Sequence, residues 1–304
     1  MSELVRGNYS GGVALARERR DSSLMGPVLG LLIAIYAAAR FLQIFPGKVP
    51  MAGVIALHVL PPLVFALIHG TFLYRVRGAL TFIVLFLLIG NIFENIGVLT
   101  GFPFGHYYFT ELMGPKIFQV PVFLGFAYIG MAYLSWVLAN VILENTGVRT
   151  SGRNVVLVPL LASLIMTSWD LSQDAIWSTY LHLWTWPRGG IYFGVPISNF
   201  LGWYLTVFVI YQSFALYLRG RKVRPPSPSN YCGMAIAFYA ISAAGNLLPL
   251  IRAGNSVVAD PTGAEWAIRD IALASALVSV FVMGAFVLYG YVKLGDSDSV
   301  ARAI

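Results

Sequence analysis

Charge is what this sequence has least of. Asp, Glu, Lys and Arg make up 11% of its 304 residues and hydrophobic residues 58%, whereas a chain that folds in water carries about 25% charged residues. No water-compatible surface can be assembled from it, so its solvent is lipid. Cysteine is nearly absent as well: Cys232 stands alone, with no partner for a disulfide or a thiolate metal site. Histidine is limited to four scattered residues, too few for the paired clusters with which membrane di-iron hydroxylases and desaturases hold their metals. Lysine is missing from the middle of every apolar run. Lys48, Lys116, Lys222 and Lys293 fall in loops or at ends, which excludes a retinal Schiff base. There is no Walker-type loop, dinucleotide glycine pattern or nucleophile elbow in a usable context, so nucleotide hydrolysis and acyl transfer have no support. The first 23 residues hold no short apolar stretch ending in a small-residue cleavage site, and no signal peptide is expected.

What is present is a succession of apolar runs of about 20 residues, the length that crosses roughly 30 Å of hydrocarbon. They fall near 24–45, 50–74, 79–100, 119–143, 155–180, 196–218, 230–252 and 266–292. The fold class expected is all-α: a polytopic transmembrane helix bundle of about eight spans in a multi-pass cell-membrane protein. The domain reading is a polar cytoplasmic segment over 1–23, one transmembrane domain over 24–292 and a cytoplasmic tail over 293–304. The Pro/Ser-rich stretch 225–229 is a short inner loop, not a domain linker. An even count puts both termini on one side, and basic residues indicate which. Fourteen of the 20 Lys and Arg fall on the terminal side, among them Arg17, Arg19, Arg20, Arg75, Arg77, Arg149, Arg219, Arg221, Lys222 and Arg224. The other side keeps Arg40, Lys48, Lys116, Arg188, Arg252 and Arg269. Both termini are therefore expected to be cytoplasmic. The formal charge of +7 reflects this topology and the neighbouring lipid headgroups, not a nucleic-acid partner.

Against this background three carboxylates inside spans stand out: Glu94, Asp170 and Asp174. A charge at the bilayer centre costs about 3 kcal/mol on insertion scales, so such residues face the bundle interior. In the fifth span Ser163, Thr167, Asp170, Asp174 and Ser178 recur at helical steps of three and four, which draws one polar stripe. Asp170 and Asp174 are one turn apart, about 6 Å in rise, and two carboxylates so close in a low dielectric cannot both ionise cheaply. That makes the pair a candidate general acid. Asn91, Glu94 and Asn95 form a shorter polar patch in the third span.

Two loops on the side away from the termini are rich in glycine and aromatics. They are Gly101-Phe102-Pro103-Phe104-Gly105-His106-Tyr107-Tyr108 and Trp184-Thr185-Trp186-Pro187-Arg188-Gly189-Gly190-Ile191-Tyr192-Phe193-Gly194. An aromatic belt at headgroup level is one reading of them. Their spacing supports another. Each follows a span with an acid in its outer half and leads into a Val-Pro pair, Glu94 preceding Pro121 by 27 positions and Asp170 preceding Pro196 by 26, as in a faint parallel repeat. Candidate binding residues at that depth are His106, Tyr107, Tyr108, Trp169, Trp177, Trp184, Trp186 and Asn199. His58, His69 and His182 read as packing or interface residues. A prenyltransferase-like enzyme usually presents two Asp-rich clusters, and here there is one, with Arg188 nearby. A non-enzymatic lipid carrier and a proton-coupled transporter also remain open; the clustering of all three acids toward one face argues against a through-path.

The stretch from Glu94-Asn95-Ile96-Gly97 through the first aromatic loop resembles the membrane carotenoid biosynthesis family that includes the carotenoid 1,2-hydratases of bisanhydrobacterioruberin hydratase type. So do Trp169-Asp170 through Asp174, Gly190 to Pro196 and Asn199-Phe200-Leu201-Gly202-Trp203. The similarity covers roughly residues 50 to 220. It implies a cofactor-independent hydro-lyase that adds water to the terminal C1,C2 double bond of an acyclic carotenoid end group, a carotenoid substrate within membrane lipid, and room for association with other enzymes of that pathway. In that chemistry Asp170 and Asp174 supply the proton, and the aromatics stabilise a tertiary carbocation. Glu94, with His106 or Asn199, holds and deprotonates water. The same resemblance allows a carotenoid-binding protein without catalysis.

Overall fold

The computed structural model describes residues 25–45, 48, 50–145, 149–221 and 229–303. The N-terminal segment 1–23, Lys222, Arg224 and nearly all of the Pro/Ser-rich loop lie outside these. Seven helices among the described residues are long and apolar enough to cross a membrane. They are α1 (Met25–Leu42), α2 (Met51–Thr100), α3 (Val122–Ile142), α4 (Asn154–Ala175), α5 (Ile197–Arg219), α6 (Ser229–Gly245) and the run of α7 (Ile268–Val278) into α8 (Gly284–Ala303). A 21-residue helix such as α3 is about 31 Å long, one hydrocarbon thickness.

The 50 residues of α2 are two crossings. Arg75 leaves helical geometry with φ 60 and ψ 169, and the chain folds back on itself there. An ideal Cβ on Gly70 lies 3.6 Å from the Cβ of Ala79, whereas nine residues of unbroken helix would separate them by about 13 Å. Tyr133 of α3 touches both arms, meeting Gly70 on one and the Phe82 ring on the other. The arms 51–74 and 76–100 are thus antiparallel, and the bundle has the eight crossings read from hydropathy. Contacts between its ends agree with that count: Lys293 of α8 pairs with Glu144 at the end of α3 (2.6 Å), and Arg252 after α6 donates to the carbonyl of Ile44 after α1 (2.8 Å).

The bundle is apolar outside and keeps its intramembrane polar groups within, among a mostly apolar core, as lipid demands. Leu31, Leu99, Phe281 and Leu288 are more than half exposed, whereas Ser163, Asp170, Asp174, Asn199 and Asn246 are buried. α3 is the central helix, buried along almost its whole length from Tyr128 to Ile142. It packs against α2, α4, α6 and α8. Gly130 lets it approach the first arm of α2 closely, since a Cβ there would stand 2.6 Å from the carbonyl carbon of Pro62.

One end of the bundle carries three short hairpin-like loops. The two aromatic loops pair with each other, β1 (Tyr108–Phe109) running antiparallel to β4 (Trp184–Thr185). Between them, β2 (Lys116–Ile117) and β3 (Val120–Pro121) close the approach to α3. The third loop, β5 (Val257–Ala259) paired with β6 (Glu265–Ala267), sets Trp266 edge to face with Phe193 and Asp260 against Gly194. Asp260 is an internal fastener. Its carboxylate accepts from Thr262 N–H (2.8 Å), Ala264 N–H (3.2 Å) and Trp266 Nε1 (3.0 Å).

Candidate active site

The site begins with the end of α4. After Asp174 the helix widens into a π turn over Ile176–Tyr180, closed by Leu181 N–H on the carbonyl of Ile176 (2.9 Å). His182 then takes φ 55, and the chain reverses. In a continuing helix Trp184 would be about 15 Å beyond Asp174. Here its Nε1 donates to Asp174 Oδ1 at 2.8 Å.

The other oxygen of Asp174 accepts from Asn199 Nδ2. Asn199 sits in the first turn of α5, where Pro196 holds the cap position, so its side chain is not capping the helix. Asp174 therefore has donors on both oxygens. Asp170, one turn earlier, is as buried but its Oδ2 has no hydrogen-bond partner. The polar stripe read from the sequence does point inward, with Ser163, Asp170, Asp174 and Ser178 all buried.

Glu94 comes from the second arm of α2 and accepts from the Tyr107 hydroxyl. Gly97, one turn on, makes room for that approach: a Cβ there would lie 3.2 Å from the Tyr107 ring. Burial, followed by the charge of Glu94 beside it, holds the Tyr107 phenol well above its ordinary pKa, so it remains a donor. Gly202 of α5 serves the same loop, since a Cβ there would meet the backbone of Pro103 at 2.9 Å.

These groups enclose two adjoining spaces. A chamber of about 80 Å³ is lined by Asp170 and Asp174 among Tyr36, Leu124, Met131, Trp169 and Trp177. A recess of about 10 Å³ is lined by Glu94, Tyr107, Asn199, Trp186, Trp203 and again Asp174, which is the space of one water molecule. Asp174, Tyr128 and Trp184 border both. Two indole N–H groups at these walls, Trp169 Nε1 on the chamber and Trp186 Nε1 on the recess, have no partner.

Of the residues expected from the sequence, the structure brings together Glu94, Asp170, Asp174, Tyr107, Trp169, Trp177, Trp184, Trp186 and Asn199. His106 and Tyr108 are not among them. Both are exposed, and the His106 ring folds back over Gly101. The reason is the extended backbone around β1, whose side chains alternate: Tyr107 and Phe109 point inward while His106 and Tyr108 point out. His69 packs as expected, buried between Tyr133 Oη (2.6 Å) and the carbonyl of Tyr231 (3.0 Å).

Sequence reasoning did not place Tyr128 or Trp203 in the site; both line the recess, with their rings in contact at a centroid distance of 4.3 Å. It also counted Arg40 with the basic residues beyond the membrane core. Arg40 is buried, donating to Asn246 Oδ1, to His58 Nε2 (3.1 Å) and to Gln173 Oε1 (3.5 Å). Gln173 in turn accepts from Trp177 Nε1 (3.2 Å) and borders the chamber. The signal for Arg40 was its place inside the first apolar run.

Comparison with known proteins adds one match. The family model described as "Carotenoid biosynthesis protein" matches residues 53–259, a stretch that holds all three carboxylates and both aromatic loops. No curated protein and no solved structure matches the chain.

Proposed function

The chain belongs to the carotenoid biosynthesis protein family, and from that premise we propose that it adds water across the terminal trisubstituted double bond of an acyclic carotenoid end group. The observation that carries the reading is the pair of spaces divided by Asp174, one apolar with a carboxyl group in its wall, the other polar and the size of a water molecule.

Hydration of an isolated alkene needs a proton delivered to the CH carbon, and this step leaves a tertiary cation on the neighbouring carbon. Asp170 is placed to give that proton: its side chain lines the chamber, and its Oδ2 accepts from no donor that would favour the carboxylate. The cation has no hydrogen-bonding handle, so it is stabilised by π faces. Trp169 and Tyr128, set edge to face at 6.0 Å, stand in the same wall as Trp184. Asp174 accepts an N–H donor on each oxygen, contacts that favour its anionic form, and as the anion it adds electrostatic stabilisation.

Water in the recess lies between Glu94 and Asp174 and adds to the cationic carbon across their common wall. Glu94, fixed by Tyr107, holds it. Asp174 takes the proton that water loses and, one turn from Asp170, returns it. Alkene and water give a tertiary alcohol, with no change of oxidation state. The test is turnover of lycopene by the purified protein in ¹⁸O-labelled water. A product two mass units heavier supports the reading, and lycopene that stays bound but unchanged supports a carrier instead.

A further inference from the structure

A space much larger than the chamber lies beside it and has no part in the chemistry above. It is a cleft of about 660 Å³ between α1, the start of α2, the π turn after α4 and the start of α7. Its walls are mainly aliphatic, with Leu42, Leu57 and Ala272 among them, and its polar residues include Lys48 and Arg252, both exposed. His58 and Trp177 line both this cleft and the chamber that holds the aspartates. We propose that the cleft holds the long apolar chain of the substrate, and that Trp177 is the wall past which the chain end passes to reach Asp170; this rests on the hydration reading.

Three observations support this occupant. A chamber of about 80 Å³ accepts a branched chain end and nothing longer, so a long substrate needs a second space continuous with it. The cleft supplies such a space, and its exposed cationic residues leave the apolar interior free of charge. Trp177 is lightly held on the side of the chamber that faces the cleft: it is half-buried, on a π turn, with an edge contact to His58 and one hydrogen bond to Gln173. The rival route is a groove of about 520 Å³ along the second arm of α2 and α3, which includes Glu94 but neither aspartate. It meets the chamber across Leu124 and Tyr128. Tyr128 is buried with Trp169 on one side and Trp203 on the other, so that wall is packed shut.

The test compares two probes with the same end group, lycopene and the short isoprenoid ketone geranylacetone, on three variants. Ala272→Phe fills the cleft from its buried wall. Leu42→Trp fills it from a half-exposed position where packing has little to lose. Leu88→Trp fills the rival groove. The expected result is that both cleft variants lower lycopene conversion about tenfold or more while geranylacetone conversion stays within about twofold. Leu88→Trp leaves both unchanged. Selective loss of lycopene conversion in Leu88→Trp, or unchanged lycopene conversion in Leu42→Trp, would overturn the proposal. If the wild-type protein hydrates neither probe, the hydration reading fails on its own. The cleft is then read by binding: loss of lycopene absorbance co-purifying with Leu42→Trp upholds it, and full retention overturns it.

Discussion

Replacing either aspartate by asparagine separates acid from anion, because the two side chains are held so differently. Asp174 accepts two N–H groups, from Trp184 and Asn199. An asparagine there has one acceptor oxygen, so its NH₂ must face a donor and one buried N–H loses its partner. Leaving such a group unsatisfied costs about 1–3 kcal/mol. Asp170 Oδ2 has no partner, so Asp170→Asn breaks no hydrogen bond at that oxygen and the fold should keep its stability within about 1 kcal/mol. Activity should fall in both, by roughly 10²–10⁴, the usual contribution of a positioned proton donor or acceptor. The assay is lycopene turnover beside thermal unfolding in the same detergent. Asp174→Asn should lose several degrees of midpoint, on the scale of about 2–4 °C per kcal/mol for chains somewhat smaller than this one, and Asp170→Asn should lose almost none. Wild-type turnover by Asp170→Asn would refute the assignment of the proton. Equal destabilisation of the two would refute the contrast in their hydrogen bonding.

Tyr107→Phe removes the hydroxyl that Glu94 accepts from and should slow turnover about 10- to 100-fold with the fold retained, since hydrogen bonds to charged groups contribute roughly 1.5–3 kcal/mol; circular dichroism beside the rate checks it. Gly190 lies against the backbone of Val195 and Pro196 with no room for a Cβ, so Gly190→Ala should displace the start of α5 and with it Asn199, read as lost activity and faster proteolysis of the loop. Asp260 titrates outside the spans: burial alone would raise its pKa, but hydrogen bonds from Thr262, Trp266 and Ala264 outweigh it and hold the carboxyl below its ordinary value. A depressed acid contributes stability that is complete above the unfolded value of about 4 and fades as pH falls below it. Acid should therefore loosen the third loop first, visible as a change in Trp266 fluorescence that Asp260→Asn shows already at neutral pH.

Separating the two small spaces has a chemical reason. A tertiary cation is captured by any nucleophile in contact with it, and a carboxylate facing it directly would give an ester. Asp174 touches both spaces, yet each of its oxygens is engaged by an N–H donor, which lowers its nucleophilicity while leaving its charge in place. The recess of about 10 Å³ limits water to a single molecule, so the chamber stays dry enough for the acid to remain strong. A single open cavity with three carboxylates would offer neither control.

How much of this was legible in the sequence follows from which physical signal each part leaves. Eight apolar runs announce eight crossings because lipid admits no other way of satisfying the backbone, and the turn at Arg75 fell between two of them. Glu94, Asp170 and Asp174 were legible for the same reason, as charges where charge is costly. Tyr128 and Trp203 were not. In a chain with 20 Phe and 16 Tyr, an aromatic on a span facing the site looks like one facing lipid, and no hydrophobic contrast marks the inner side. Within the loops a finer signal existed. Alternation of period two sets Tyr107 and Phe109 inward, and the pairing of Phe109 with Trp184 across β1 and β4 brings in Trp184. That same alternation turns His106 and Tyr108 outward, so the loop's composition named the right segment while its strand geometry chose which side chains enter the site.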